Sequence, residues 1–375
     1  MDHTDYKSRL SAIDRQLAAL FEERLELCRL TAASKISTGS PVHDGEGEEG
    51  QLKALEALAA NDGDRKAVGE LFTQILAISR RTQYEVFAEH GRRCHQGFQK
   101  VDALPAGAVR VVYQGVEGSY GHAAALQYFG QEAKVYPVLT FENAMREVQE
   151  GWADYGVLPI ENSSAGAVAD NYDLLVKYHN YMVAETFLPV NHALLAGQDA
   201  TLEGIRTVYS HPQALMQSSD FLNAHKDWKQ VSLVNTAVAA KKVLEDNDPT
   251  QAAVASEIAG RLYGLKTLAA SIQNDRSNTT RFMILTSRPI YRQDAAKVSI
   301  CFELPHHSGS LYNMLGHFIF NGVNMVRIES RPIPGRNWEY RFFIDLEGSL
   351  QDPGLGNALD GIAAEAGNLR IFGNY

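Results

Sequence analysis

At 375 residues the chain is long enough for two or three domains, each with its own core. Its formal net charge of −10 argues against nonspecific nucleic-acid binding while leaving room for local basic pockets that take small anions. Cys28, Cys94 and Cys301 are far apart, with neither CxxC spacing nor a disulfide framework, and no apolar run is long enough to span a membrane. Together with a start, Met1-Asp-His-Thr-Asp-Tyr, that lacks basic and apolar leader regions, this predicts a cytoplasmic protein. No GxxxxGK[ST], HExxH or GxGxxG is present, so neither a cofactor nor a metal is expected.

Tyr6–Ser37 reads as one helix without Gly or Pro, with Leu10, Ile13, Leu17, Leu20 and Leu27 at alternating three- and four-residue steps. At ~1.5 Å per residue it reaches about 48 Å, too long to fold over a small core, and predicts a helical dimer. Arg24 interrupts the stripe, and Lys35 lies on nearly the same face. Cations there cost free energy unless they are paired or liganded, or snorkel at an edge. Gly39–Gly50 reads as a loop. Two helices follow, Gln51–Ala60 and Arg65–His90, the second placing Ser79 and Gln83 on one face.

Over residues 1–95 these features resemble the all-helical chorismate mutase domain of bifunctional P-proteins. The resemblance implies an intertwined dimer that rearranges chorismate to prephenate. Such a pericyclic step needs no acid or base, only a compact substrate chair with charge placed at the breaking ether bond. Arg24, Lys35 and Gln83 match family positions that hold carboxylates and the ether oxygen. Asp44, Glu48 and Ser79 match supporting positions, and Lys7 matches the cation offered across the dimer. The family usually has Arg at the positions of Lys7 and Gly47, and Lys lacks the bidentate fork. A working but weakened mutase is therefore expected, with a degenerate dimerisation module as the alternative.

Glu89–Ala108 breaks into Gly- and Pro-containing pieces and reads as a linker. Beyond it, Val109–Tyr113 reads as a strand, Gln114–His122 as a Gly-rich turn and Ala123–Phe129 as a helix, an arrangement whose free amides suit an anion. Tyr155–Ile160 delivers Glu161-Asn-Ser-Ser-Ala-Gly166. Val208-Tyr-Ser-His-Pro-Gln-Ala214 repeats the plan, and Ala252–Ser256 leads to Glu257 and a helix through Tyr263. Asn274–Leu285 is a polar loop feeding an apolar strand, with Thr279, Thr280 and Arg281 at the junction. Each cluster alone reads as turn chemistry or capping, but together they suggest one cleft at the carboxyl ends of several strands.

Their order and spacing resemble prephenate dehydratase over residues 108–288, most specifically in Pro159-Ile-Glu-Asn162 and Thr280-Arg-Phe282. The resemblance implies a two-lobed, periplasmic-binding-protein-like α/β domain with its site between the lobes. There prephenate becomes phenylpyruvate by losing carbon dioxide and the ring hydroxyl. Thr280 is the implied hydroxyl donor to the leaving oxygen. Ser119, Glu161, Asn162, Ser163, Ser210 and Gln213 are the implied holders of the rest of the substrate, Arg281 of a carboxylate. His211 reads better as ordering its loop. Strand alternation sends Thr280 and Phe282 one way and Thr279 and Arg281 the other, so in a regular strand Arg281 would not share the substrate face with Thr280.

The last segment reads βαββαβ, a ferredoxin-like α+β order: strands Lys297–Leu304, Val323–Ser330, Tyr340–Leu346 and Leu369–Phe372, helices Gly309–Phe320 and Leu355–Glu365. Gly309-Ser310-Leu311-Tyr312 and Glu329-Ser330-Arg331-Pro332 resemble the two phenylalanine-binding motifs of the ACT domain, here residues 296–375. The plain alternative is a Glu329–Arg331 pair and an ordinary helix start. The expectation for the whole is a multidomain homodimer or homotetramer of phenylalanine biosynthesis. It would act on chorismate and prephenate, take phenylalanine as effector, and bind no nucleic acid or membrane. A dehydratase on a helical scaffold and a noncatalytic amino-acid sensor are the alternatives.

Overall fold

Helix α1 (His3–Thr38) is the longest element of the computed structural model, which describes residues 3–91, 94, 97–105, 107–306 and 309–375. Its apolar stripe lies open to solvent: Leu10 is 61% exposed, Leu20 64% and Leu27 57%. Helices α2 (Gly45–Glu56) and α3 (Asp62–Glu89) follow. The loop expected through Gly50 ends earlier than its glycines suggest, because α2 already starts at Gly45. The Asp44 carboxylate accepts from the Gly47 amide at 3.1 Å, and Glu46 and Glu48 sit in the first turn against the helix dipole. This local support offsets the poor helix propensity of Gly45, Gly47 and Gly50.

The chain divides into two compact units, Met1–Gly97 with Ala296–Ile371, and Phe98–Ala295 with Phe372–Tyr375. In the first, the C-terminal strands run in the order Met325–Pro332, Tyr340–Glu347, Lys297–Leu304, Gly367–Asn374. With helices Ser310–Phe320 and Pro353–Glu365 between them in sequence, this is the ferredoxin-like arrangement. Val298, Ile300, Phe302, Phe318, Leu359 and Ile362 fill its core. Pro353–Glu365 packs on α3, so the N-terminal helices and the C-terminal domain form one body.

The second unit has two lobes. One sheet runs Tyr181–Pro189, Thr279–Thr286, Tyr155–Asn162, Arg110–Gln114, Lys134–Val138; the other runs Lys266–Ala269, His192–Ala196, Gln251–Ser256, Thr207–Ser210, Lys229–Ser232. The chain passes from the first lobe to the second at Val190–Asn191 and returns between Ala269 and Thr279. The second sheet is buried on both faces: Leu194 and Ala196 join one core cluster, Ala193 and Leu195 the other. The segment expected as linker contributes Gln99–Val101, paired in parallel with Ile290–Arg292. Its residues 92, 93, 95, 96 and 106 lie outside the described set. Among the described residues no helix is long and apolar enough to cross a membrane.

Asp44→Ala removes the α2 cap and is expected to lower stability by about 1 kcal/mol. Circular dichroism during urea unfolding should show an earlier first transition. A midpoint equal to the parent's would contradict the capping role.

Candidate functional sites

The antiparallel register of Tyr155–Asn162 with Thr279–Thr286 sets Asn162 opposite Thr280. Asn162 Nδ2 donates to Thr280 Oγ1 at 3.0 Å and to Asn278 Oδ1 at 2.8 Å, while its Oδ1 accepts from the amides of Ser164 and Ala165 at 3.1 and 3.0 Å. The amide is thereby locked, and it occupies a lone pair of the Thr280 hydroxyl while leaving the proton for the cleft. A bulge helps to build this wall. Arg281 pairs with Glu161 and Phe282 with Pro159, so Ile160 is skipped and Pro159 and Asn162 both line the cavity.

The cavity measures about 500 Å³, the size of a small organic ligand, and its walls come from both lobes of the unit. Ser119, Asn162, Gln213 and Thr280, all anticipated from sequence, line it. Ser119 Oγ also caps helix Tyr120–Phe129, accepting from the His122 amide at 3.3 Å. His211 caps the helix Pro212–Gln217, its Nδ1 accepting from the Gln213 amide at 3.2 Å, and burial lowers its pKa, as expected of a loop-ordering residue. Sequence reasoning missed His192 and Gln217 in the same wall. The His192 ring lies 3.1 Å from both Tyr120 Oη and Gln217 Oε1, and burial lowers its pKa. The four-residue step from Gln213 to Gln217 on one helix face was the available signal; His192 offered none.

Four expected ligand contacts instead have protein partners. Arg281 is buried on the other side of the strand, with Nε 2.6 Å from Glu185 Oε2, Nη1 3.8 Å from Glu161 Oε2 and Nη2 2.8 Å from Tyr375 Oη. Glu161 is thus drawn to Arg281. Ser163 Oγ accepts from the Thr279 amide at 2.9 Å. Ser210, with no exposed surface, donates to the Val254 carbonyl at 2.5 Å and ties neighbouring strands together. Alternation accounts for Arg281, and the need to satisfy a buried polar group accounts for Ser210, whereas Ser163 is exposed and its bond joins two strand ends at the surface.

In the helical region Arg24, Ser79 and Gln83 converge. Arg24 Nη1 donates to Ser79 Oγ, and Gln83 Nε2 donates to the Ser79 carbonyl at 3.3 Å. Gln83 Oε1 is buried and has no partner among the described residues. Lys35 Nζ turns to the Val42 carbonyl at 2.7 Å, Glu48 binds Arg80, Asp44 caps α2, and Lys7 stands exposed on α1. The structure therefore groups three of the seven expected residues directly and gives Lys35, Asp44 and Glu48 protein partners.

In the C-terminal domain Gly309 adopts φ +86° ahead of helix Ser310–Phe320, a left-handed conformation that favours glycine. Ser310 Oγ donates to the Pro305 carbonyl at 3.0 Å, Leu311 is half-buried and Tyr312 is exposed. Glu329 to Pro332 end the edge strand of the sheet, with Glu329 and Arg331 half-buried and Ser330 and Pro332 exposed. Glu329 lies 3.6 Å from Arg327 Nη2. Among the described residues no group of three or more His, Cys, Asp or Glu is placed to hold a metal.

Residues 111–290 match the prephenate dehydratase family and residues 6–84 the chorismate mutase type II family. A bifunctional chorismate mutase/prephenate dehydratase from Enterobacter agglomerans is 34% identical over 98% of this chain and 94% of its own length. A solved prephenate dehydratase from Arthrobacter aurescens in complex with L-Phe aligns with a TM-score of 0.66 at 30% identity, over 71% of this chain and 89% of that one. A second structure, described as GqqA, a novel type of quorum quenching acylase, aligns with a TM-score of 0.65 at 32% identity, over 71% of this chain and 97% of that one.

Ser210→Ala leaves a buried carbonyl without its donor and should cost about 1–3 kcal/mol. Thermal unfolding is expected to shift down while the affinity of the cleft for its ligand stays within about twofold. A loss of affinity without loss of stability would return Ser210 to the ligand.

Proposed function

The chain belongs to the bifunctional chorismate mutase/prephenate dehydratase family, and from that membership we propose that it makes phenylpyruvate from chorismate in two steps at two sites. The dehydratase step belongs to the cleft of the two-lobed unit, residues 108–288. The observation that supports it most is the Asn162–Thr280 hydrogen bond, which aims a hydroxyl proton into a cavity of substrate size. In the reaction the bond from the ring to its carboxylate breaks and its electron pair enters the ring. The ring C–O bond breaks with it, and hydroxide leaves and is protonated to water. Thr280 hydrogen-bonds the departing oxygen; its own pKa is too high for it to act as a strong acid, so the proton comes ultimately from solvent. Of the residues expected from sequence, Ser119 and Gln213 line the cavity and hold substrate carboxylates, with His192 and Gln217 beside them in the wall.

The mutase step belongs to residues 1–95. Arg24 supplies charge for a carboxylate, and the Gln83 Nε2 group, which gives one of its two protons to the Ser79 carbonyl, donates the other to the ether oxygen. Lys35, with two donors beyond its bond to Val42, holds the second carboxylate. Lys7, exposed on α1, is offered to a partner copy. Without a guanidinium there or at Gly47, turnover is weaker than a bidentate clamp would give. The exposed leucine stripe of α1 needs a cover, and a second α1 supplies it, giving a homodimer or, as a dimer of dimers, a homotetramer. Residues 296–375 act as the ACT effector domain, with phenylalanine held by Gly309–Tyr312 and Glu329–Pro332. The ferredoxin-like strand order supports this reading, as does the L-Phe bound to the Arthrobacter aurescens relative.

Chorismate given to the full chain should yield both prephenate and phenylpyruvate on chromatographic separation. Turnover of prephenate but not of chorismate would reduce the helices to a scaffold. Gln83→Ala should lower kcat for chorismate by about a hundredfold and leave prephenate turnover within about twofold. Leu17→Lys in the α1 stripe should shift the sedimentation profile toward monomer; an unchanged profile would place the interface elsewhere.

A further inference from the structure

The candidate mutase residues and the candidate effector motif meet at one buried cluster. Arg80, next to Ser79 on α3, donates through Nη1 to Glu48 of α2, one of the expected mutase residues. The rest of its guanidinium grips both oxygens of Glu365, at the end of helix Pro353–Glu365, with Nε–Oε1 2.6 Å and Nη2–Oε2 3.2 Å. Glu365 Oε2 is also 3.4 Å from His317 Nε2, on the helix opened by Ser310. Gly361 makes room for this ring, since a side chain there would collide with His317. The Arg80 side chain is 12% exposed and that of Glu365 6%. Burial raises the Glu365 carboxyl pKa, but the His317 hydrogen bond and the Arg80 charge outweigh it and hold the group down at about 2.

A cavity of about 450 Å³ adjoins the cluster and is lined by Glu48, Arg80, Leu304, Ser310, Met314 and Glu365. One guanidinium thus holds two carboxylates, one on a mutase helix and one on the C-terminal domain, beside the helix start expected to receive the effector. A planar fork with fixed donors cannot shift toward one carboxylate without changing its bond to the other.

We propose that Arg80 is a positioning residue of the mutase site, that it orients Glu48 only while Glu365 holds it, and that an effector seated at Gly309–Tyr312 changes chorismate turnover through this bridge. The proposal rests on the functional reading above, both for Glu48 and for the effector motif.

The test uses the full-length protein and measures chorismate and prephenate turnover separately, each with and without phenylalanine, in the parent, Glu365→Gln and Glu365→Asp. The second variant keeps the charge but shortens the reach, and serves if the first fails to fold. The proposal predicts that kcat/KM for chorismate falls by about fivefold or more in the variants and that its response to phenylalanine is lost. Prephenate turnover and its own response to phenylalanine should remain. Arg80→Lys, which keeps the charge without the fork, should reproduce the uncoupling. Parental chorismate turnover and phenylalanine response in a folded variant would overturn the bridge and leave the functional reading standing. A parent whose chorismate turnover ignores phenylalanine would likewise overturn the bridge alone, whereas one that turns over no chorismate would overturn the mutase reading and the bridge with it.

Discussion

The central constraint on the dehydratase site is that a buried side-chain amide must have its hydrogen bonds satisfied. Asn162 meets it by donating to Thr280 and Asn278 and accepting from two backbone amides of the turn that follows it. Satisfying one residue therefore fixes a strand end, a turn and the start of the neighbouring strand. The Thr280 hydroxyl inherits its direction from this arrangement. It needs no base or metal to orient it, and its position survives only as long as the two strands keep their register.

Charge is handled the same way throughout. Arg281 is held among Glu185, Glu161 and Tyr375, Arg80 between Glu48 and Glu365, and Glu303 by Arg341 and Arg336. Desolvating such groups costs several kcal/mol each unless partners compensate, so the pairs fix geometry more than they add stability. The α1 stripe is the apolar counterpart of the same rule: large leucines left in water within one chain call for a second surface.

Much of this was legible in the sequence. The three-and-four spacing of leucines gave α1 to within a few residues, and the βαββαβ order of the C-terminal segment matched strand for strand. Alternation correctly separated Thr280 from Arg281. What could not be read were features that depend on partners distant in sequence. The bulge at Ile160 brings Pro159 and Asn162, three apart, onto one wall, which a regular strand would forbid. Ser210 sits in a motif that looks exposed, yet it spends its hydroxyl on the Val254 carbonyl. Glycines hid the first turn of α2, because the propensity penalty outweighs a cap in a local reading although the cap wins in the fold. Nothing in the local sequence singles out Arg80, because its partner Glu365 comes from the far end of the chain.

The claim that Thr280 assists departure of the ring hydroxyl is tested most directly by comparing Thr280→Val with Thr280→Ser on prephenate. Valine keeps the shape and removes the hydroxyl; serine keeps the hydroxyl and removes a methyl group. The account predicts a fall in kcat of at least about a hundredfold for valine, with KM changed little, and turnover within about tenfold of the parent for serine. A folded valine variant that turns over prephenate at the parental rate would contradict it.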